Sequence, residues 1–459
     1  MSDIVQLENI VRGVPRRSEQ RRQAGRFSFP VTTEQDVSFA LKSLNAQRPQ
    51  SIKAVIKALA KIGREGSWIR DQDLMIQAEL SGSPIKHMRK SIAAVNGWLA
   101  RLDEYVRSLA EIVTVARPGE EALDVLMDRD NCVYRGGIST MFVLAGDEIA
   151  IAPWNIAQAL LANAAAVVKP SKIEPLGAYL FTRALAAEGI TPPALLYISR
   201  DTDGEKDLVG RLIGRTQQSV IFGEDHTVSA ICEPFGYRAG HKSLVYLTGR
   251  SGAIVWPDAD VELAAEMIIR GATDDRGNRC NSTKKVYAPK SLAKELEAAL
   301  VRHADKLVRG APNHPDTDLG RNDPQARVTA RECAASGSVF YERDLFLLTV
   351  PTTAGILKEE VPYPTVAVCY YEAGTDPVAL ANESVAGTPL GASIATAVFT
   401  RDEARFIDTA SRLLTCKALF NTPSTEFDFW ATHQARHLFL ELMRKTELVG
   451  SSPALGKGK

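Results

Sequence analysis

The sequence predicts an α/β protein with two doubly wound units, each a parallel sheet with helices on both faces, and a helical region at the N-terminus. Three observations lead there. From about residue 133 short apolar strands alternate with stretches of helical period, the pattern of a parallel sheet covered on both sides. A second block with the same alternation starts near residue 249. The 459 residues supply core enough for two or three domains.

Residues 1 to about 35 are rich in Arg and Gln and show little apolar periodicity. The run Arg16-Arg17-Ser18-Glu19-Gln20-Arg21-Arg22 reads as a solvated arm, with phosphate binding as the alternative. Between 35 and 117, apolar side chains recur at helical spacing, as in Val37, Ala40, Leu41 and Leu44. Ile52, Val55, Ile56 and Leu59 repeat the pattern, with Ser51 placed to cap that helix. Strands follow at 139–144, 164–168, 195–198, 219–222 and 244–247, with helices ending near 161 and spanning 176–187. The second block opens with an amphipathic helix at 261–269. It continues with a strand around Val286, a helix at 292–306, and strands at 345–350 and 366–371. A helix is expected around 433–442, and the Gly456-Lys457-Gly458-Lys459 end should be loose.

Composition narrows the function. A net charge of +0 provides no basic field for nucleic acid. No apolar run approaches the ~20 residues of a membrane span. Met1-Ser2-Asp3-Ile4 lacks the apolar segment of a secretory signal, so a cytoplasmic location is expected. There the six cysteines (Cys132, Cys232, Cys280, Cys333, Cys369 and Cys416) are expected as thiols. They form no CxxC pair, and no metal site is expected. His433 and His437 would share a helix face, but no acidic partner motif follows them.

The central stretch runs from Ile269 through Asp274-Asp275-Arg276-Gly277-Asn278-Arg279-Cys280 to Thr283. A thiol on a polar loop between helix and strand can meet a substrate, although free cysteine is as often a small core residue. Two strand ends suit phosphate. Lys169-Pro170-Ser171-Lys172 sets two ammonium groups and a hydroxyl beside a helix start, and Phe222-Gly223-Glu224 lets backbone approach a ligand. The alternative for these lysines is plain solvation. No GxGxxG is present.

These pieces, in order, resemble the aldehyde dehydrogenase superfamily over about residues 130–445. The matching runs are Val167-Val168-Lys169-Pro170-Ser171, Ile221-Phe222-Gly223, Leu247-Thr248-Gly249-Arg250-Ser251-Gly252, Asp258-Ala259-Asp260, Gly277-Asn278-Arg279-Cys280, Glu359-Glu360-Val361-Pro362, Ala381-Asn382-Glu383-Ser384 and Gly391-Ala392-Ser393. The resemblance implies an aldehyde dehydrogenase-like fold. Residues 1–248 would hold the helical region and the nicotinamide cofactor domain, and 249–418 the catalytic domain. Residues 419–459 would return to the cofactor domain or an oligomer interface. It implies Cys280 as nucleophile, and Lys169, Ser171, Lys172, Gly223 and Glu360 as cofactor-binding residues.

Departures from the family pattern shape the expected reaction. The water-activating glutamate of aldehyde-oxidising members is matched by Tyr246, 34 residues before Cys280, and a tyrosine with a reference pKa near ~10 is a poor base. Pro153-Trp154-Asn155 looks like the oxyanion motif, but Asn155 lies only 14 residues before Lys169, so it reads as helix packing. The pattern is similar to the fatty-acyl reductase branch. The expected function is therefore NAD(P)H-dependent reduction of an acyl-thioester to an aldehyde through a Cys280 thioester, the acyl donor being coenzyme A or an acyl carrier protein. Aldehyde oxidation to an acid is one alternative, and a non-catalytic docking subunit another. Lys172 stands where NAD-preferring members carry a ribose-binding glutamate, which implies NADPH, with NADH as the other option. The family also implies a homo-oligomer.

Overall fold

The computed structural model of the chain describes residues 4–46, 50–115, 125–128, 132–146, 148–199, 203–233, 239–247 and 249–447. It divides into two compact units. The first takes the residues up to Leu80, Arg89–Tyr246 and those from Phe429 on; the second takes Ser81–Met88 and Leu247–Asp428.

The first unit contains a seven-stranded sheet in the order Lys242–Leu247, Gln218–Gly223, Ser139–Val143, Ala165–Lys169, Ala194–Leu195, Asn9–Val11, Val14–Arg16. From Ser139–Val143 the chain winds outward through the helix Ile151–Leu161 to Ala165–Lys169, then through the helix Leu176–Ala187 to Ala194–Leu195. It returns by the helix Asp203–Arg215 to Gln218–Gly223, on the opposite side of the starting strand. The direction of winding therefore switches between Ser139–Val143 and Gln218–Gly223. Open α/β sheets bind ligands at the carboxyl ends of such a strand pair.

The Arg-rich beginning is not a solvated arm. Asn9–Val11 pairs antiparallel with Ala194–Leu195 and turns through Arg12 (φ 55°) and Gly13 (φ 75°) into Val14–Arg16. Val5–Gln6, Phe27–Pro30 and Arg21–Ala24 form a separate three-stranded sheet. Few apolar side chains are needed, because Leu7, Ile10, Phe27 and Phe29 are all buried. Arg22 Nη1 lies 2.5 Å from the buried Glu205 carboxylate, and Arg16 Nε 3.1 Å from Asp36. Strands of two to four residues are too short for a period of two to show in the sequence.

The helical region follows as Glu34–Ala46, Ile52–Glu65, Asp71–Ser81, Ile85–Ala100 and Leu102–Ile112. Ser51 Oγ accepts the Ala54 N–H at 3.4 Å, the expected cap. An antiparallel sheet of Arg444–Glu447, Cys132–Arg135, Val125–Asp128 and Val113–Val115 was not foreshadowed by the sequence.

The expected helix at 433–442 is also corrected. Only Leu438–Glu441 is helical. His433 and Arg436 bridge a tight turn through Gln434 (φ 47°) and Ala435 (φ 60°), so His433 and His437 do not share a helix face. The His433 ring is buried instead, stacked near Tyr246 and Phe222 and edge-on to Trp154. That packing outweighs helix propensity. Asp147, Thr248 and residues 456–459 lie outside the described residues.

The second unit holds a seven-stranded sheet in the order Ser338–Glu342, Phe346–Val350, Thr365–Tyr371, Lys285–Pro289, Gly252–Val255, Thr396–Phe399, Ala418–Phe420. All neighbouring pairs are parallel except the first. The helix Val261–Thr273 begins at Asp260, whose carboxylate accepts the Leu263 N–H at 3.1 Å. Its Val261, Ala264, Ala265, Ile268, Ile269 and Ala272 pack against Ala253, Val255 and Val286 of the sheet. Each large aliphatic side chain so buried contributes about 1.5–3 kcal/mol. No helix among the described residues is long and apolar enough to cross a membrane.

Candidate active site

In the second unit the functional candidate is the loop joining the helix Val261–Thr273 to the strand Lys285–Pro289. The backbone leaves the helix into Asp274–Gly277, where Asp275 (φ 49°, ψ 46°) and Arg276 (φ 59°, ψ 24°) are both left-handed. Gly277 follows at φ 69°, and a Cβ there would lie 2.7 Å from Ala272 O and 2.9 Å from Pro364 N. Left-handed non-glycine residues cost about 1–3 kcal/mol each and persist only where surroundings force them. Here the forcing groups are visible. The Asp275 N–H donates to His87 Nδ1 at 2.7 Å, and Ser83 Oγ donates to the Asp275 carboxylate. Arg276 Nη1 donates to Arg321 O at 3.0 Å. The Asn278 carboxamide donates to Pro362 O (3.1 Å) and accepts from Arg276 Nη2 (3.2 Å). Because His87 Nδ1 accepts a hydrogen bond, it carries no proton, and its 3.7 Å approach to Asp274 is not an ion pair. Asp274 pairs instead with Arg279 at 3.4 Å.

Residues 271–277 and 281–289 are buried, and the chain surfaces only at 278–280. Cys280 ends that short emergence and is half-buried. Beyond it, Ser424 Oγ donates to Asn281 O at 2.6 Å and meets Thr283 Oγ1 at 2.7 Å. Gly249 approaches so closely that a Cβ would lie 2.4 Å from Cys280 O. The other thiols differ. Cys232 and Cys369 are buried in apolar surroundings, which push both thiols up, Cys369 to about 11. Cys333 donates to Glu359 at 3.3 Å, and burial with that carboxylate pushes it to about 11. A high pKa means little thiolate, so these three are poorly suited to nucleophilic work. Cys416 is a fourth free thiol, also half-buried.

Two lysines of this unit have no motif that marks them. Lys284 and Lys285 are each 4% exposed. Lys284 Nζ donates to Gly277 O (2.6 Å) and Tyr363 O (2.9 Å); Lys285 Nζ donates to Leu357 O and Ser384 Oγ, both at 2.8 Å. Burial lowers Lys284 to about 8 and Lys285 to about 7, against the opposing pull of Glu360. The available signal was their position: they open a strand in the middle of a parallel sheet, where both faces are covered. Glu360 itself is half-buried.

In the first unit the candidate residues sit at the carboxyl ends of the sheet. Lys169 ends the strand Ala165–Lys169 and is half-buried, whereas Lys172 is exposed. Ser171 is buried, and its hydroxyl accepts the Ile173 N–H at 3.2 Å. The start of the helix Leu176–Ala187 already holds an anionic side-chain type: buried Glu174 accepts the Gly177 N–H at 2.7 Å. That amide is therefore not available to a ligand phosphate, contrary to the expectation for this helix start. Gly223 follows its strand as expected, and a Cβ there would meet Thr227 and Val228 at an ordinary 3.5 Å. The next helix, Asp225–Ile231, begins with Glu224 and Asp225, two carboxylates that oppose a pyrophosphate. Lys169 and Lys172 are the cationic side chains at this strand end.

Tyr246 is 2% exposed and stacked on Phe222, ring centroids 4.5 Å apart at 9°. Its hydroxyl has no hydrogen-bond partner among the described residues, and burial drives its pKa up. It is no base. Asn155 lies inside the helix Ile151–Leu161, where its carboxamide donates to Ile151 O at 2.8 Å. Its Oδ1 is buried and has no hydrogen-bond partner among the described residues.

The chain thus has two doubly wound α/β units, one with a loop-borne thiol and one with a cationic strand end. A family model described as "Aldehyde dehydrogenase family" matches residues 148–332. The chain is 25% identical over 340 residues to a 3-succinoylsemialdehyde-pyridine dehydrogenase of Pseudomonas sp, covering 63% of this chain and 69% of the relative. It is 24% identical over 392 residues to geranial dehydrogenase of Castellaniella defragrans, covering 78% and 80%. It is 28% identical to betaine aldehyde dehydrogenase of Cereibacter sphaeroides, covering 55% of this chain and 54% of that one. Among solved structures, a salicylaldehyde dehydrogenase from Pseudomonas putida G7 superposes with a TM-score of 0.80 at 16% identity, covering 97% and 99%. Betaine aldehyde dehydrogenase from Staphylococcus aureus in complex with NAD+ gives 0.79 at 18%, covering 96% and 94%. Residues 148–332 therefore carry a likeness to the aldehyde dehydrogenase family, and the chain has the α/β fold of these aldehyde dehydrogenase structures.

Proposed function

We propose that the protein oxidises an aldehyde with NAD(P)+ through a covalent Cys280 adduct. The observation that carries this reading is the clamped loop, buried on both sides and surfacing only to present Cys280. The Cys280 thiolate adds to the aldehyde carbonyl and gives a thiohemiacetal. Loss of hydride from the former carbonyl carbon leaves a Cys280 thioester, and an acyl acceptor then frees the sulfur. When bound, NAD(P)+ supplies the hydride acceptor. Lys169, Ser171, Lys172 and Gly223 would take its adenosine end, and Glu360 its nicotinamide ribose. The two lysines favour the 2′-phosphate of NADP(H). Backbone amides, including that of Cys280, would stabilise the oxyanion. The relatives named above support oxidation as the overall direction.

One observation favours a second reading. Tyr246 stands where a water-activating carboxylate is expected, and neither its burial nor its raised pKa suits that task. Without a base the thioester would pass to another thiol, coenzyme A or a carrier protein. Run in reverse, that chemistry reduces an acyl-thioester to an aldehyde.

One set of assays separates the readings. Purified protein is given an aldehyde panel with NAD+ or NADP+, with and without coenzyme A, and separately acyl-CoA with NADPH. Acid formation without coenzyme A establishes the first reading; strict coenzyme A dependence, with NADPH oxidation by acyl-CoA, establishes the second. Cys280→Ala should lower either rate at least ~10³-fold, and activity surviving that substitution overturns both.

A further inference from the structure

We propose that Lys284 is a positioning residue that holds the Cys280 loop in its strained, productive form. The proposal rests on the reading of Cys280 as nucleophile. Three consecutive left-handed residues, Asp275, Arg276 and Gly277, set the direction in which the chain emerges at 278–280. Such backbone relaxes unless it is held. Residues from other segments hold Asp275 and Arg276: His87, Ser83 and Arg321. At Gly277, the pivot nearest the cysteine, the carbonyl accepts from Lys284 Nζ at 2.6 Å. The same ammonium donates to Tyr363 O at 2.9 Å, which ties the pivot to the segment before the strand Thr365–Tyr371. Lys284 also follows Cys280 by only four residues. It therefore closes a short ring of chain around the nucleophile.

The choice of a lysine here is informative. Two buried carbonyls could be satisfied by a neutral donor at a smaller desolvation cost. An ammonium makes both bonds charge-assisted and stronger, which suits a clamp that opposes backbone strain. The charged and titratable groups around it are Glu360 and Lys285 near its own strand, and Asp274, Asp275, Arg276, Arg279 and His87 on the loop and its clamping segment. Glu360 supports the ammonium, and Lys285 lies beside it on the strand. The loop cation Arg279 is paired with Asp274.

The test compares wild type with Lys284→Met and Lys284→Arg in the full-length protein. Hydrogen exchange is followed for peptides covering 274–283, and steady-state kinetics are measured from pH 6 to 9. In Lys284→Met, exchange of that loop should rise at least ~10-fold while the helix Val261–Thr273 and the strand Lys285–Pro289 keep their protection. Its kcat should fall about 100-fold with little change in KM, as expected when a nucleophile is misplaced by about an ångström. An alkaline fall in wild-type kcat near pH 8 should vanish in Lys284→Met, and Lys284→Arg should recover part of the loop protection. Unchanged loop exchange in Lys284→Met overturns the proposal, as does uniformly raised exchange across the second unit, which would mark a purely structural role. The exchange readout needs no turnover, so an inactive wild type would count against the aldehyde reading and leave the clamp tested.

Discussion

The two units carry their candidate residues in different ways. At the carboxyl ends of the first sheet, Lys169 and Lys172 sit on ordinary backbone, one half-buried and one exposed, and Gly223 has room for a side chain. In the second unit, Cys280 depends on three left-handed residues, one of them a glycine with no room for a methyl group, held by the side chains of Ser83, His87 and Lys284 and the carbonyl of Arg321. A nucleotide can be held by charges that tolerate some freedom. A nucleophile must arrive within a fraction of an ångström, and its surroundings store strain to keep it there.

The contrast can be broken by substitution. Gly277→Ala should destabilise the protein by roughly 2–5 kcal/mol, combining left-handed backbone with overpacking, whereas Gly223→Ala, whose Cβ would meet its neighbours at an ordinary 3.5 Å, should leave melting nearly unchanged. Urea midpoints and kcat for both variants check this; a harmless Gly277→Ala would show that the loop is not constrained as described.

The buried lysines sharpen it next. Both folded values, about 8 for Lys284 and about 7 for Lys285, lie below the ordinary lysine value of 10.5. Between those limits the unfolded chain binds more protons, so the stability contributed by these groups rises with pH across that window. Turnover should fall over the same interval as Lys284 loses its charge. Urea unfolding and kcat measured side by side at pH 7, 8 and 9 should diverge in wild type, and the divergence should shrink in Lys284→Met.

In the first unit, Lys172→Glu should shift the ratio of kcat/KM for NADP+ over NAD+ toward NAD+ by about tenfold, the worth of one charge-assisted contact. The smallest effect is expected at Tyr246. Because its hydroxyl has no partner among the described residues, Tyr246→Phe should leave kcat unchanged and raise stability by about 1 kcal/mol. A large loss of turnover would give that hydroxyl a chemical role.

Much of the architecture could be read from apolar runs. The helix Leu176–Ala187 and the strands Gln218–Gly223 and Thr365–Tyr371 lie where the pattern placed them, because buried strands and amphipathic helices leave strong periodic signals. The N-terminal strands were hidden by their brevity and their arginines, whose partners, Glu205 and Asp36, come from elsewhere in the chain. The 433–436 turn was hidden because aromatic packing set its shape. At the site, the cysteine stood out by its motif. The hydrogen bonds made by Lys284 and Ser83 and accepted by His87 did not, since a strand position hints that a lysine is buried but names no partner, and no local pattern marks a distant histidine as an acceptor.

The chain passes between its two units four times, at 80/81, 88/89, 246/247 and 428/429. Neither unit is a continuous piece that a nascent polypeptide could finish early. The sheet of the second unit cannot be completed until Ala418–Phe420 has been synthesised, and its eight-residue contribution from 81–88 must wait until then. Such long-range closure slows folding and prolongs the exposure of unpaired edges, so recovery from denaturant should be slow and should improve at low protein concentration.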